Sequence, residues 1–129
     1  MADINETVDK LVNTPDSTAS FDPADIRQNK AMAILAYISV LVLIPLFLAK
    51  SSKFTRFHCN QGLILAILEI ICAIVFGILG GLPLLGWIFR LAGSILGVGF
   101  LLLSILGIVN VVGERAKELP VIGNLRIIR

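Results

Sequence analysis

The stretch that decides the fold is GLILAILEIICAIVFGILGG at residues 62–81, which is followed by LAGSILGVGFLLLSILGIVNVV at residues 91–112. The second stretch contains no charged residue, and the first contains only Glu69. A helix of about 20 residues is about 30 Å long, which matches the hydrocarbon core of a bilayer. Gly81 and Pro83, where the first stretch ends, are typical of a turn. The pattern predicts two transmembrane helices in a tight antiparallel hairpin.

The composition supports a membrane environment for the whole chain. Hydrophobic residues make up 57% of the 129 residues, and charged residues make up 16%. Soluble domains are nearer half apolar and a quarter charged, and a chain this short cannot bury so much apolar surface in water. The formal net charge of +2 is too small to indicate a nucleic-acid partner. We therefore expect an all-α integral membrane bundle whose surroundings are the lipid bilayer.

A third apolar stretch, residues 31–49, precedes the other two and has no charge. Its length is just sufficient for a third span, so the sequence predicts about three transmembrane helices. Asp22 and Pro23 are typical of a helix start upstream of this stretch. Pro45 lies near its far end and is expected to kink or end the helix there. A re-entrant segment that turns at Pro45 is the alternative.

The polar segments outside these stretches divide the chain into three parts. Residues 1–21 are predicted to be a mobile polar tail, residues 22–113 the helical membrane domain, and residues 114–129 an interfacial tail that lies on the membrane surface or folds back on the bundle. Lys and Arg are concentrated in loop 50–61 and in the C-terminal tail. The positive-inside rule then predicts a multi-pass protein of the plasma (inner) membrane with a cytoplasmic C-terminal tail.

Small residues follow one face of each helix of the hairpin. On a helical wheel each set falls within an arc of about 80°. Small residues at this spacing allow two backbones to approach closely in lipid. The predicted packing residues are Gly62, Ala66, Ala73, Gly77 and Gly80 on the first helix, and Gly93, Gly97, Ser104 and Gly107 on the second.

Glu69 lies on the same small-residue face, where an ionisable group is costly and is a functional candidate by default. Three roles are open for it: a hydrogen bond that locks helices together, a contact with a partner protein, or a step in an ion or proton pathway. Tyr37, Ser39 and Ser104 are the possible partners of its carboxyl group.

No catalytic or metal-binding pattern is present in the sequence. His58 and Cys59 are adjacent, but neighbouring side chains on a helix point about 100° apart, and no acid follows to orient the histidine. Cys59 and Cys72 form no CxxC pair. We expect no enzyme activity, no cofactor and no metal. The polar loop is predicted to anchor the start of the second helix, where His58 and Gln61 would satisfy free backbone groups and Lys53 and Arg56 would reach lipid phosphates. A recognition contact with lipid or a partner protein is the alternative, through Lys50, Lys53, Arg56, His58 and Gln61.

Several short motifs resemble the Tic-twenty-like family of small bacterial membrane proteins, distant relatives of a chloroplast inner-envelope import component. The resemblance covers roughly residues 21–129 and implies three or so helices, no catalytic residues and an association with protein translocation. The motifs that carry it are Asn29-Lys30, Ala36-Tyr37, Ile44-Pro45, Ser52-Lys53-Phe54, Arg56-Phe57-His58, Gln61-Gly62-Leu63, Gly107-Ile108, Asn110, Lys117-Glu118-Leu119-Pro120 and Ile122-Gly123.

These observations favour a non-enzymatic protein that acts through helix–helix association, as a small subunit or organiser of a membrane complex. Its partner would be another membrane protein or further copies of itself. A transport or protein-translocation channel component is one alternative, supported by Glu69 and by the resemblance. A sensor of anionic lipid that uses the basic loop is the other alternative.

Overall fold

The computed structural model describes residues 14–120 together with Ile4, Glu6, Ile122, Leu125 and Ile127. In this part of the chain the regular elements are helices, and extended pairing is limited to one bridge between residues 16 and 117. The prediction of an all-α fold is confirmed. The elements are α1 (Pro23–Gln28), α2 (Lys30–Leu35), α3 (Leu43–Leu48), α4 (Lys53–Leu79) and α5 (Gly86–Val112), with 3-10 helices at Thr18–Ser20 and Ser39–Val42.

Helices α4 and α5 form the predicted antiparallel hairpin, joined by residues 80–85. Each has 27 residues and is about 40 Å long, which exceeds the roughly 30 Å of a bilayer core. Only 22% of the most apolar window of each helix is buried inside the protein. The large apolar side chains that remain exposed need an apolar solvent, because so much exposed hydrocarbon is unfavourable in water. The chain is therefore a membrane protein with two helices long enough to cross the bilayer.

Three continuous spans are not confirmed, because the first apolar stretch is broken. Helix α2 ends at Leu35, and the chain then turns through Ala36–Ile38 into a short 3-10 helix and α3. Ser39 has φ 46°, a left-handed conformation that no α-helix contains. The break lies well before Pro45, the residue from which the sequence predicts the kink.

Pro45 itself lies in the first turn of a helix and does not end one. It is the third residue of α3, and it is buried. The amides of a helix's first turn have no partner inside the helix, so a residue without an N–H group is tolerated there. The expectation that Pro45 ends a long helix was wrong for this reason.

The basic loop predicted at residues 50–61 is mostly helical. Ser52 caps α4, with its hydroxyl accepting a hydrogen bond of 3.1 Å from the Thr55 N–H. The polar residues that follow form the first turns of α4 and extend it beyond its apolar part. Their side chains are therefore held on a rigid element.

The two chain ends meet beside these first turns. The Ser17 N–H donates to the Ala116 carbonyl at 2.9 Å, and the Glu118 N–H donates to the Pro15 carbonyl at 3.0 Å. Ala116, together with residues 119 and 122, is buried in the core, so the C-terminal segment folds back on the bundle. Apart from Ile4 and Glu6, residues 1–13 of the predicted mobile tail lie outside the described residues, and their mobility stays a prediction.

Asp16 shapes the N-terminal side of this pairing. Its carboxylate accepts hydrogen bonds from the N–H and hydroxyl groups of Thr18, and these bonds hold the pKa of Asp16 below its ordinary value. A lowered pKa means that the bonds stabilise the fold above the ordinary pKa of an aspartate. Their contribution is lost as the pH falls through the lower pKa of the folded state.

Candidate functional site

A buried polar cluster at the N-terminal end of α4 holds the first apolar stretch and the C-terminal segment against this helix. His58 is 0% exposed. Its Nδ1 lies 2.5 Å from the Tyr37 hydroxyl, and its Nε2 lies 3.0 Å from the Arg115 carbonyl oxygen. A carbonyl oxygen can only accept, so Nε2 carries the hydrogen, and in the neutral ring Nδ1 accepts from Tyr37. His58 thus joins the first apolar stretch to the C-terminal segment, and this is a structural role.

Amide side chains continue this attachment along the C-terminal segment. The Gln61 Oε1 accepts from the Leu119 N–H. The Asn60 Nδ2 donates to the Leu125 carbonyl at 2.7 Å, and the Asn110 Nδ2 donates to the Lys117 carbonyl at 3.3 Å. From the sequence we expected His58 and Gln61 to satisfy free backbone groups at the start of the second helix, with a lipid or partner contact as the alternative. Both side chains are fully buried, and the backbone groups that they satisfy belong to the C-terminal segment.

The remaining residues of the predicted contact loop do face outward. Lys50 and Lys53 are exposed, and Arg56 is half-buried. The Lys50 ammonium lies 5.7 Å from the centre of the Phe47 ring, within the range of a cation–π contact. A contact of these three cations with lipid or a partner stays a prediction.

Truncation of Gln61 tests the attachment of the C-terminal segment. Gln61→Ala is expected to raise the rate of tryptic cleavage after Arg115 and Lys117 by about tenfold or more, because an unpaired buried Leu119 N–H costs about 1–3 kcal/mol. Ser94→Ala is the control, since the Ser94 hydroxyl is exposed and bonds only to the Arg90 carbonyl of its own helix. Equal cleavage rates in the two variants would show that the amide does not hold the segment.

The predicted small residues divide into two groups in the structure. At one end of the hairpin, Gly62 and Gly107 make room for the first apolar stretch. A Cβ on Gly62 would lie 1.7 Å from the Ala36 carbonyl oxygen, and a Cβ on Gly107 would lie 2.3 Å from the Tyr37 ring. Ala66 is also buried at this end. Gly62 and Gly107 thus pack against a third element, which the hairpin prediction did not include.

Toward the connector the two long helices touch each other. A Cβ on Gly93 would lie 3.1 Å from the Cβ of Phe76, and a Cβ on Gly80 would lie 2.8 Å from the Cγ of Arg90. Gly77 lies between these two contacts along α4, and Gly97 lies about one turn beyond Gly93 on α5. Neither glycine has an atom within 4 Å of its Cβ position, so both face open space.

This open space belongs to a lateral groove between α4 and α5, with a volume of about 830 Å³. The structure brings six of the predicted residues to it, and it leaves Gly62, Ala66, Gly80 and Gly107 outside. The six are Glu69, Ala73, Gly77, Gly93, Gly97 and Ser104.

Four further polar residues line the groove. Tyr37 and Ser39 enter from the tip of the first apolar stretch, and Ser94 and Arg90 come from α5. Sequence analysis named Tyr37 and Ser39 only as possible partners of Glu69, and it missed Arg90 and Ser94 as groove residues. Their spacing of four residues on one helix was the available signal, since it places both side chains on the same face.

A family model covers nearly the whole described chain. The model of the magnetosome magnetite crystal formation protein family matches residues 28–128. This chain belongs to that family. Magnetosome protein MmsF of Paramagnetospirillum magneticum is 37% identical over 92 residues, which are 70% of this chain and 78% of the relative. Magnetosome protein MamF of the same bacterium is 31% identical over 71% of this chain and 77% of the relative. MamF of Magnetospirillum gryphiswaldense is 30% identical over 73% of this chain and 78% of the relative. No solved structure matches.

Family membership corrects the resemblance drawn from short motifs. The match to a magnetosome family overturns the assignment to a Tic-twenty-like family, and the link to protein translocation falls with it. The motifs that carried the resemblance include Ala36-Tyr37, Arg56-Phe57-His58 and Gln61-Gly62-Leu63. In the structure these residues form the packed junction of three elements, and such a junction constrains residue types without specifying what a protein does.

Proposed function

We propose that this magnetosome-family chain acts in magnetite crystal formation as a non-enzymatic subunit or organiser of a complex in a magnetosome-type membrane. The observation that supports this function most directly is the groove lined by Gly77, Gly93 and Gly97. It provides an open, apolar, small-residue surface at the depth of the bilayer. Such surfaces are typical of the interfaces between transmembrane helices.

The partner that best fits the groove is a transmembrane helix of another membrane protein. Apolar side chains gain little from leaving lipid, so helices associate in a bilayer through close backbone packing and hydrogen bonds. The open positions at Gly77 and Gly97 allow the first of these. The carboxyl of Glu69 and the hydroxyl of Ser104, both half-buried at the groove, allow the second.

Filling the groove should prevent this association without unfolding the hairpin. Gly77→Leu and Gly97→Leu each place a large side chain in open space, so both variants are expected to fold. Gly99→Leu is the matched control, since Gly99 also has no atom within 4 Å of its Cβ position and lies outside the groove. In mild detergent, we expect the native complex to dissociate at least about tenfold more readily in the groove variants, for a loss of about 1.4 kcal/mol or more.

The functional measurement uses a magnetite-forming host. Wild-type chain and the three leucine variants would be expressed in Paramagnetospirillum magneticum without its own MmsF, and crystal dimensions would be measured by electron microscopy. We expect the wild type and Gly99→Leu to change crystal size alike, and the groove variants to resemble the empty host. Identical native complexes and crystals in all four strains would reject the groove as the working surface.

A further inference from the structure

The first apolar stretch enters and leaves the bundle at the same end. Asp25, which precedes it, accepts hydrogen bonds from the Ser52 hydroxyl at 2.6 Å and the Phe54 N–H at 3.0 Å, both of which follow it. Between these points the chain turns at Ala36–Ser39. The C-terminal segment packs at this end of the hairpin through the Arg115 carbonyl on His58, and residues 15–17 pair with residues 116–118 beside it. We refer to residues 36–49 as the re-entrant segment.

The re-entrant segment reaches only a short distance along the hairpin. Its turn packs on Gly62, where the apolar part of α4 begins, and on Gly107, near the end of α5. Five residues of helix separate Gly107 from the last residue of α5, Val112, a distance of about 8 Å. Half of a hydrocarbon core is about 15 Å thick. The segment therefore lies within one leaflet.

The outer surface of the re-entrant segment is suited to acyl chains. Val40, Leu43, Phe47 and Leu48 are 59%, 48%, 61% and 71% exposed. The segment packs beside α4, and both α4 and α5 also expose large apolar side chains, which the bilayer covers. Lysines flank the segment at positions 30, 50 and 53 and provide charges for the phosphates of anionic headgroups. Lipid of one leaflet is thus the partner that fits both the apolar surface and its charged border.

The two ends of the molecule differ in cross-section as a result. At the end that carries the termini, one leaflet must accommodate both long helices and the re-entrant segment. At the other end, the described residues in the opposite leaflet belong to α4, α5 and the connector at residues 80–85. We propose that the re-entrant segment is a wedge in the leaflet on the side of the chain termini, and that the protein concentrates in membranes on which this leaflet is convex.

The distribution of basic residues indicates which side of a cellular membrane this leaflet faces. Arg27, Lys30, Lys50, Lys53, Arg56, Arg115 and Lys117 lie at the termini end, whereas Arg90 lies near the connector. The positive-inside rule places the termini end in the cytoplasm. The cytoplasmic leaflet of any vesicle enclosed within a cell is its convex leaflet. The wedge would thus favour small intracellular vesicles over a flat membrane, whether or not the groove between α4 and α5 is occupied.

Curvature sorting tests this proposal directly. Full-length labelled protein would be reconstituted in giant vesicles containing anionic lipid, and narrow membrane tubes would be pulled outward from them. Protease added outside identifies vesicles whose protein has its termini outward, and these molecules occupy the convex leaflet of the tube. In such vesicles we expect enrichment in the tube, relative to a lipid dye, of about twofold or more. Equal density in the tube and the flat membrane would overturn the proposal.

A double variant separates the wedge from the spanning helices. Phe47→Ser with Leu48→Ser removes exposed apolar side chains from the re-entrant segment, and we expect it to abolish the enrichment. Ile74→Ser with Ile78→Ser is the control, because these α4 residues are 58% and 70% exposed in the opposite half of the hairpin. It should sort like the wild type. Loss of sorting in both variants, or in neither, would contradict the assignment.

A depth measurement decides the case even if a variant fails to fold. An environment-sensitive fluorophore on Val40→Cys, in a chain with Cys59→Ser and Cys72→Ser, would be quenched by nitroxide lipids of known depth. Quenching by probes in the leaflet of the termini supports the wedge. Emission typical of water, or quenching strongest at the bilayer centre or beyond it, would overturn it.

Discussion

Adding one methyl group at Gly62 is expected to destabilise the protein more than any other glycine-to-alanine change in the hairpin. A Cβ there would lie 1.7 Å from the Ala36 carbonyl oxygen and 2.6 Å from its carbonyl carbon. Both atoms are backbone, so neither can move aside by changing a rotamer. We expect Gly62→Ala to cost about 3 kcal/mol or more, at the upper end of measured overpacking effects.

Gly97→Ala is the matched control and should have the opposite sign. It makes the same chemical change on a helix of the same length, but no atom lies within 4 Å of the new Cβ. Alanine has a higher intrinsic helix propensity than glycine, by about 1 kcal/mol. Gly97→Ala is therefore expected to leave stability unchanged or to raise it slightly.

Cysteine labelling gives the measurement for both variants. Cys59 is 0% exposed, so its reaction with a maleimide reports local opening where α2 and the C-terminal segment cover α4. In a Cys72→Ser background, Gly62→Ala should label at least about a hundredfold faster than the parent, and Gly97→Ala should not. Similar labelling rates for the two alanine variants would mean that the first apolar stretch does not dock on Gly62.

The hairpin could be predicted from the sequence because its cause is local. Two apolar stretches of bilayer length with a glycine- and proline-containing connector leave few alternatives in a short chain. The small-residue faces were also visible, because a helical wheel needs only the positions along one helix. Six of the predicted residues accordingly meet at the groove.

The break in the first apolar stretch could not be predicted in the same way. The turn at Ala36–Ser39 contains neither glycine nor proline, while Pro45, the visible signal, sits inside a helix. The cause of the turn is tertiary: Gly62 and Gly107 leave space in which Ala36 and Tyr37 pack. Gly62 and Gly97 each lie on the small-residue face of their helix. A helical wheel cannot show that a third segment packs on Gly62 while no atom lies near the Cβ position of Gly97.

The same limit applies to the polar side chains. The sequence predicts that His58 and Gln61 satisfy free backbone groups, but it does not say which groups these are. In the structure they belong to residues 57 and 58 positions away along the chain, and His58 also accepts from the Tyr37 hydroxyl. No local pattern encodes such a pairing, and burial reveals it only when the C-terminal segment is in place.

Asp25→Ala is the second substitution expected to have a large effect, although Asp25 lies in a six-residue helix on the surface. Its Oδ1 accepts from the Ser52 hydroxyl at 2.6 Å and from the Asn29 amide at 2.8 Å. Its Oδ2 accepts from the Phe54 N–H at 3.0 Å. Asp25 lies in the first turn of its own helix α1. In the structure it also satisfies a free amide in the first turn of α4.

The effect should be large because one carboxylate serves two elements. A negative charge at the N-terminus of α4 interacts favourably with the helix dipole, and hydrogen bonds to a charged group contribute about 1.5–3 kcal/mol. Removal of the carboxylate leaves the Phe54 N–H and the Ser52 hydroxyl without this partner and detaches α1 from α4. We expect Asp25→Ala to cost about 2–4 kcal/mol, with Asp25→Asn intermediate because the amide retains one acceptor oxygen.

Asp22→Ala separates this effect from simple loss of a surface acid. Asp22 lies three residues away, is exposed, and accepts one bond of 3.0 Å from the Ala24 N–H at the start of α1. Removal of such a cap typically costs about 1 kcal/mol. In the Cys72→Ser background, Asp25→Ala should label at Cys59 at least about tenfold faster than Asp22→Ala. If Asp22→Ala opens the structure as much as Asp25→Ala, the carboxylate at position 25 does not hold the entry and exit of the re-entrant segment together. The wedge would then depend on the contacts of Gly62 and Gly107 alone.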